Sequence, residues 1–368
     1  MNPLTSLFDD FGQAIWLDFI RRDLLEDGGL ETLMRSDGIR GVTSNPSIFH
    51  KAITGGDVYD GAIRELLAER PEIATEEIYE ALVIADIQAA ADVLRPVYDA
   101  ADGTDGFVSL EVSPHLANDA EATVDEARRL WALVDRPNLM IKVPATAAGI
   151  PAIESLIGQG INVNATLMFS MRDYESVAVA YIKGLAHCAD PRRVTSVASF
   201  FVSRVDTAVD RALEAIGAER ARRLAGCAAV ANAKLVYRRF QEIFHGDAFA
   251  PFAKVGAQVQ RPLWASTSTK NPAYSPVKYV EELIGPETVN TMPLNTLDAF
   301  RDVGLPNRTV DVDVEGAEAA LAEIAALGID LDAITNQLQE DGVKAFADAY
   351  DALLAALSSR QTAMSAER

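Results

Sequence analysis

Short apolar runs that alternate with longer amphipathic segments constrain the fold of this chain more than any other feature of its sequence. Each run is too short for a helix and is typical of a buried strand, whereas the segments between the runs have helical spacing. Eight runs are predicted to be strands: 14–19, 41–45, 106–112, 139–144, 161–167, 194–199, 262–267 and 288–293.

Helical patterns follow most of these runs. Asn118, with Glu121 three residues later, predicts a capping box at the start of one helix, and Gly217 and Gly285 are predicted to end helices. The chain from Ser358 onward is predicted to be loose. Helices are predicted at 118–134, 147–158, 171–187, 200–216 and 275–284, with further helices at 57–69, 75–100, 222–245, 315–327 and 331–357.

The repetition of buried strands and helices indicates a parallel sheet. Eight such units favour a closed (β/α)₈ TIM barrel over an open doubly wound sheet. The barrel is predicted to occupy about 14–305, and helices in about 306–358 to pack on it as a C-terminal appendage. Because no Gly/Ser-rich linker interrupts the sequence, 1–368 is predicted to be a single domain. We expect the part beyond about 305 to carry no information on function, and 57–100 only to decorate the barrel.

The net charge of −21 restricts the partners of the chain. It argues against binding to nucleic acid or to an anionic membrane surface, and no apolar stretch is long enough to span a membrane. The N-terminus lacks the basic and apolar parts of a secretion signal, and two cysteines fit a reducing compartment, so a cytoplasmic location is predicted. The chain is expected to be a monomer or a homodimer.

Neither a metal nor a cofactor is predicted. The sequence has no GxGxxG or GxxxxGK[ST] motif for a nucleotide. The histidines and cysteines are scattered without the spacing of metal ligands: His50, His115, His187, His245, Cys188 and Cys227.

Lys142 lies within the apolar run 138–144, which is predicted to be a buried strand that ends at Pro144. A buried ammonium group without a partner is costly, so a lysine here either reacts as a neutral amine or packs its stem and extends its head to solvent. A neutral amine is the nucleophile that forms Schiff bases with carbonyl substrates. The run alone favours the second, structural explanation.

Polar side chains are also predicted near the C-terminal ends of the neighbouring strands, where barrel enzymes place their chemistry. A barrel filled only for stability would carry branched apolar residues at these positions, so the convergence predicts an active site. Asp18 could instead cap a helix. Strand alternation directs these groups inward: Asp18, Asn45, Glu111, Lys142, Asn164 and Thr166.

Three segments resemble the transaldolase family, in its long bacterial form, within a match over about 14–300. They are Gly-Val-Thr-Ser-Asn-Pro-Ser at 41–47, Ile-Lys-Val-Pro-Ala-Thr at 141–146, and Gly-Ile-Asn-Val-Asn-Ala-Thr-Leu-Met-Phe-Ser at 160–170. The resemblance implies a (β/α)₈ barrel and a class I Schiff-base mechanism in the pentose phosphate pathway. A dihydroxyacetone unit would pass from sedoheptulose 7-phosphate or fructose 6-phosphate to erythrose 4-phosphate or glyceraldehyde 3-phosphate.

The resemblance also implies catalytic roles for four residues. Lys142 would be the Schiff-base lysine, and Asp18 the acid and base at the bond that is cleaved. Glu111 and Thr166 would hold the water that carries protons.

Six further residues would bind the substrate. Asn45 and Asn164 would orient the dihydroxyacetone unit, and Arg204 would bind the phosphate, although Arg204 could also be a solvated residue of its helix. Many family members carry arginine where this chain has Lys270, and lysine lacks the two-pronged donor of arginine. The full set is Asn45, Asn164, Ser109, Ser199, Arg204 and Lys270.

Two alternative functions stay open. Relatives that are fructose-6-phosphate aldolases share the barrel and the lysine, but carry Gln and Tyr where this chain has Glu111 and Phe201, which favours transfer. A non-catalytic barrel that only binds sugar phosphates would need no amine nucleophile, so Lys142 argues against it.

Overall fold

The chain forms a closed barrel of eight parallel strands. The computed structural model describes residues 2–366. Each strand pairs with the next along the chain, and β8 pairs with β1 to close the barrel. This confirms the predicted (β/α)₈ TIM barrel. The strands are β1 Gln13–Leu17, β2 Ile39–Thr43, β3 Phe107–Glu111, β4 Leu139–Pro144, β5 Val163–Met168, β6 Ser196–Phe201, β7 Arg261–Ala265 and β8 Thr288–Met292.

Helices surround the barrel. Apolar side chains between the strands and the helices form one continuous core. The helices are α1 Pro3–Asp9, α2 Arg22–Glu26, α3 Gly29–Asp37, α4 Pro46–Thr54, α5 Asp60–Glu69, α6 Thr75–Ala100, α7 Ala120–Val134, α8 Gly149–Gly158, α9 Met171–His187, α10 Ser203–Ile216, α11 Glu219–Arg222, α12 Ala228–Phe244, α13 Ala250–Ala253, α14 Lys278–Glu281, α15 Leu294–Val303, α16 Val314–Ala326 and α17 Leu331–Ala366.

Several predicted boundaries are wrong at loops. The first two strands end at Leu17 and Thr43, so Asp18 and Asn45 follow the strands instead of lying within them. The helix predicted at 275–284 is reduced to α14. Helix α7 is capped by Asp119 and not by the predicted Asn118. The Asp119 carboxylate accepts a hydrogen bond from the Ala122 amide at 3.0 Å.

The segment from Ser358 to Ala366, which was predicted to be loose, is helical. Helix α17 continues to Ala366 because its last turns bond to the body of the protein. Arg360 donates to the Ile53 carbonyl at 2.8 Å, and Gln361 donates to the Ile73 carbonyl at 2.8 Å. These partners lie far away in sequence, so local patterns gave no sign of them.

Helix α17 also reaches the C-terminal end of the barrel, where it packs against α4, α10 and β5. The Gln339 amide donates to the Ala145 carbonyl at 3.1 Å and to the Leu167 carbonyl at 3.0 Å. The helix is thereby fixed to the exit of β4 and to the end of β5. The expectation that the part beyond about 305 has no bearing on the site is wrong.

The predicted division of the single domain 1–368 into a barrel at about 14–305 and an appendage at about 306–358 stays a prediction. Within residues 2–366, no helix combines the length and the apolar character needed to cross a membrane.

Candidate active site

A cavity of about 350 Å³ opens at the C-terminal end of the barrel. Seven of the ten predicted site residues line it, and the other three lie buried beside them. The seven lining residues are Asp18, Asn45, Lys142, Thr166, Ser199, Arg204 and Lys270. The three buried ones are Ser109, Glu111 and Asn164.

Lys142 projects into the barrel from β4, and its side chain is only 5% exposed. Its Nζ lies 3.2 Å from the Glu111 carboxylate and donates to the Ser44 carbonyl at 3.1 Å. Strand register brings these groups together, because Lys142 pairs with Glu111 on one side and with Asn164 on the other. The amine does not extend to solvent, so the structural explanation for this lysine is wrong.

Glu111 and Thr166 flank the lysine at the base of the cavity. Burial raises the pKa of the Glu111 carboxyl, and the Lys142 ammonium opposes this effect. The Thr166 hydroxyl is buried and has no hydrogen-bond partner among residues 2–366. An unsatisfied buried hydroxyl costs about 1–3 kcal/mol. A bound water or substrate group between these two side chains would remove that cost.

Asp18 follows β1 and lies half-buried at the cavity wall. The Thr43 hydroxyl donates to its carboxylate at 2.7 Å. Burial raises the pKa of Asp18, and the nearby Lys142 charge lowers it to a smaller extent. The cap explanation is wrong, because α2 begins at Arg22 without a side-chain cap. A carboxyl group with a raised pKa beside an open cavity is suited to exchange protons with a substrate.

The side chain of Asn164 is fixed by two serines. Its amide donates to the Ser109 hydroxyl at 3.0 Å, and its carbonyl accepts from the Ser199 hydroxyl at 2.6 Å. Asn45 has a different anchor, because its carbonyl accepts from the Ile48 amide at 3.0 Å and caps α4. Asn45 lines the cavity, and its amide NH₂ has no hydrogen-bond partner among the described residues. Both asparagines are therefore held in place next to the lysine.

Arg204 and Lys270 lie on the cavity wall without a carboxylate partner among the described residues. The Arg204 guanidinium lies 5.2 Å from the centre of the Phe201 ring, and the Lys270 ammonium donates to the Ser268 hydroxyl at 2.6 Å. Burial lowers the pKa of Arg204; burial and then the Arg204 charge lower that of Lys270. Two cations without a carboxylate partner at one cavity would attract an anion in a chain of net charge −21. Arg204 is partly buried and lines the cavity, so it is not simply a solvated helix residue.

Two hydrogen-bonded pairs of tyrosine and aspartate connect the segments that carry these two cations. The Tyr279 hydroxyl donates to Asp206 at 2.8 Å, and the Tyr274 hydroxyl donates to Asp210 at 2.7 Å. Both aspartates lie on α10, which carries Arg204, whereas the tyrosines follow Lys270 in the segment after β7. The pairs therefore tie α10 to the segment that follows Lys270. Burial raises the pKa of Asp206 to about 6.

Replacing Tyr279 with phenylalanine should raise the KM for an anionic substrate several-fold and leave kcat nearly unchanged. The change leaves the buried Asp206 carboxylate without its hydroxyl donor, which should lower the free energy of unfolding by about 1–3 kcal/mol. Steady-state kinetics and urea denaturation measure the two effects. Tyr181→Phe is a matched control, since the Tyr181 hydroxyl donates to the Gln258 carbonyl at 2.7 Å before β7, at the opposite end of the barrel. Equal KM values in the two variants would contradict a positioning role for Tyr279.

Sequence reasoning missed several residues of the cavity wall. Phe346 comes from α17, and its ring centre lies 5.6 Å from the Lys142 Nζ. No signal in the sequence could have located it, because only tertiary contacts place α17 at the barrel mouth. The position of Lys51 could have been inferred, since it follows the 41–47 motif on α4. The missed residues include Thr43, Ser47, Lys51, Ser268, Thr291 and Phe346.

The segment 57–100 does more than decorate the barrel. Tyr79 of α6 lines a second cavity, of about 170 Å³, which Glu111 also lines. The Tyr79 ring packs edge-on against Tyr350 of α17 at 5.3 Å between centres. Helices α6 and α17 thus form the wall behind the Glu111 carboxylate. In the described part of the chain, no three His, Cys, Asp or Glu side chains form a group that could hold a metal.

The fold and the site define a barrel enzyme with a buried lysine suited to carbonyl chemistry. The family profile for transaldolase/fructose-6-phosphate aldolase matches residues 15–357. The chain belongs to this family, as its motifs predicted.

Among similar proteins, a transaldolase of Thiobacillus denitrificans is 51% identical over 96% of this chain and 99% of its own length. A transaldolase of Parafrankia sp. is 48% identical over 96% of both chains. Transaldolase 1 of Streptomyces coelicolor is 48% identical over 95% of this chain and 92% of its own. Similarity of this extent confirms the predicted enzyme class, transaldolase.

Proposed function

We propose that the chain transfers a dihydroxyacetone unit between sugar phosphates through a Schiff base on Lys142. The donor is sedoheptulose 7-phosphate or fructose 6-phosphate, and the acceptor is glyceraldehyde 3-phosphate or erythrose 4-phosphate. The observation that carries the proposal is the buried Lys142 amine, 3.2 Å from the Glu111 carboxylate and at the wall of the cavity that Asp18 also lines.

Schiff-base formation requires an amine nucleophile and a proton carrier. The Lys142 amine attacks the ketone carbon, its proton passes to the Glu111 carboxylate, and the carbinol oxygen leaves as water. The free Thr166 hydroxyl supports a water between itself and Glu111. The same water then carries protons in both directions as the imine forms and is later hydrolysed.

Carbon–carbon cleavage uses the iminium as an electron sink. Asp18 takes the proton of the hydroxyl on the far carbon of the breaking bond, that carbon becomes the aldehyde of the departing aldose phosphate, and the bond electrons pass to the iminium to give an enamine. The enamine that stays on Lys142 attacks the acceptor aldehyde, and Asp18 returns the proton to the new hydroxyl. Asn45 and Asn164 hold the hydroxyls of the dihydroxyacetone unit, with Asn164 kept in place by Ser109 and Ser199.

Transfer is favoured over simple aldol cleavage by the side chain at position 201. Phe201 lines the cavity and has no hydroxyl to protonate the enamine, whereas aldolases of this family carry tyrosine there. Unprotonated, the enamine persists until an aldehyde acceptor binds. A barrel that only binds sugar phosphates is not favoured, because it would have no use for the buried amine.

A coupled assay with and without erythrose 4-phosphate tests this proposal. We expect fructose 6-phosphate to be consumed steadily only when the acceptor is present. Release of dihydroxyacetone at a comparable rate without an acceptor would support the aldolase alternative and contradict transfer.

Arg204→Ala should raise the KM for fructose 6-phosphate by about 10- to 100-fold, the size expected for loss of a charge-assisted hydrogen bond. The KM for unphosphorylated fructose should change little, because it lacks the phosphate. Arg222→Ala, at an exposed position of α11 that does not line the cavity, is the control. Equal increases for both substrates would show that Arg204 is structural.

A cytoplasmic location, a monomer or homodimer, and activity without a metal or cofactor stay predictions. Size-exclusion chromatography with light scattering, and assays after treatment with a chelator, test the last two.

A further inference from the structure

Three cationic side chains face one cavity from three different parts of the chain. Arg204 belongs to α10, Lys270 follows β7, and Lys51 belongs to α4. Within residues 2–366, none of the three forms an ion pair with a carboxylate. Most other cations of this acidic chain are paired, so three unpaired cations at one cavity indicate a site for an anion with more than one charge.

The geometry of α4 directs Lys51 toward this cavity. The helix begins at the Asn45 cap, and Ser47 and Lys51 lie four residues apart on one face of it. Both residues line the cavity. The opposite face, which includes Phe49 and Ile53, is buried in the core. The Asn45 cap and the core contacts therefore fix which face of α4 carries Lys51, an exposed residue at the rim of the cavity.

The three cations influence one another. Burial is the main cause of the lowered pKa of Lys270, and the charges of Arg204 and Lys51 lower it further. Mutual repulsion of this kind is relieved when a dianion binds between the groups. Lys51 also acts on the carboxyl of Asp18, whose pKa it lowers slightly against the larger effect of burial.

We propose that Lys51 is a third phosphate-binding residue, which acts with Arg204 and Lys270 on the phosphate of the sugar substrate. The proposal rests on the proposed function, because it assigns the anion to the substrate. The proposal also explains how the site works with lysine at position 270. Lysine has no two-pronged donor and therefore binds phosphate less tightly than arginine does. A second lysine, on α4, adds a further hydrogen-bond donor and positive charge at the same cavity.

Lys51→Ala should raise the KM for fructose 6-phosphate about 5- to 20-fold at saturating acceptor and leave kcat almost unchanged. The KM for unphosphorylated fructose should not rise. Inorganic phosphate, used as a competitive inhibitor, should bind correspondingly more weakly to the variant. Lys51→Arg should keep most of the wild-type affinity for fructose 6-phosphate, because arginine keeps the positive charge. Lys254→Ala is the matched control, as Lys254 is exposed and precedes β7, at the opposite end of the barrel.

Equal behaviour of Lys51→Ala and Lys254→Ala toward both fructose 6-phosphate and inorganic phosphate would overturn the proposal. An equal increase in KM for phosphorylated and unphosphorylated ketose would also overturn it, since Lys51 would then act on the shape of the site. Failure of the proposed function looks different. In that case the wild-type protein shows no transfer. Titration calorimetry with inorganic phosphate, on the wild type and on Lys51→Ala, still measures whether Lys51 contributes to phosphate binding.

Discussion

Replacing Lys142 with methionine should reduce the rate of dihydroxyacetone transfer by on the order of 10⁴-fold or more, because no Schiff base can form. Methionine keeps much of the length of the lysine stem, so the cavity wall is preserved. Transfer is measured in the coupled assay. Lys183→Met, at an exposed position of α9, is the control and should keep full activity.

The same variant should show a change in stability that depends on pH. Without the ammonium, Glu111 stays buried with no counter-charge, so its pKa rises further above the unfolded value. A carboxyl with a raised folded pKa favours the fold at low pH, and this contribution is lost as the pH rises through the folded pKa. Lys142→Met should therefore lose stability on going from acidic to alkaline pH, and a second change, Glu111→Gln, should remove that loss.

Transfer by Lys142→Met above about 1% of wild type would contradict the covalent mechanism.

Asp18→Asn should lower kcat by about 10²- to 10⁴-fold, the range of general acid–base contributions. Asparagine has the same shape and can still accept from the Thr43 hydroxyl, so the loss reflects the missing base. Formation of the Schiff base should persist, because that step uses Lys142 and Glu111. Coupled kinetics measure the first effect, and borohydride capture of the donor measures the second.

Asp37→Asn is a suitable control for this experiment. Asp37 is a buried aspartate that pairs with Arg301 at 2.7 Å, ahead of β2 at the opposite end of the barrel. Its loss should reduce stability and leave kcat unchanged. If Asp18→Asn transferred at the wild-type rate, Asp18 would not be the base. If it captured no donor, Asp18 would serve imine formation instead of bond cleavage.

The barrel and its inward polar groups could be predicted because each strand carries its own signal. Buried runs bounded by loops mark the strands, and alternation along a strand tells which side chains face inward. The register of the sheet then brings Glu111, Lys142 and Asn164 side by side. Neighbouring strands of a parallel barrel place their ends at the same edge, so local patterns were enough to assemble this part of the site.

The remainder of the site depends on contacts between distant segments. Phe346 reaches the cavity only because Gln339 ties α17 to the ends of β4 and β5. The tail is held as a helix by bonds from Arg360 to Ile53 near the end of α4 and from Gln361 to Ile73 in the loop before α6. Periodicity reports how a segment folds, but not which distant segment it packs against. For this reason the wall contributed by α17 could not be foreseen.

Borohydride capture tests the central claim most directly. The protein is incubated with fructose 6-phosphate and borohydride, digested, and the modified peptide is located by mass spectrometry. We expect a single reduced adduct on Lys142, and none when Lys142 is replaced by methionine. An adduct on another lysine, such as Lys51 or Lys270, or no adduct in the wild-type protein, would contradict the Schiff-base mechanism.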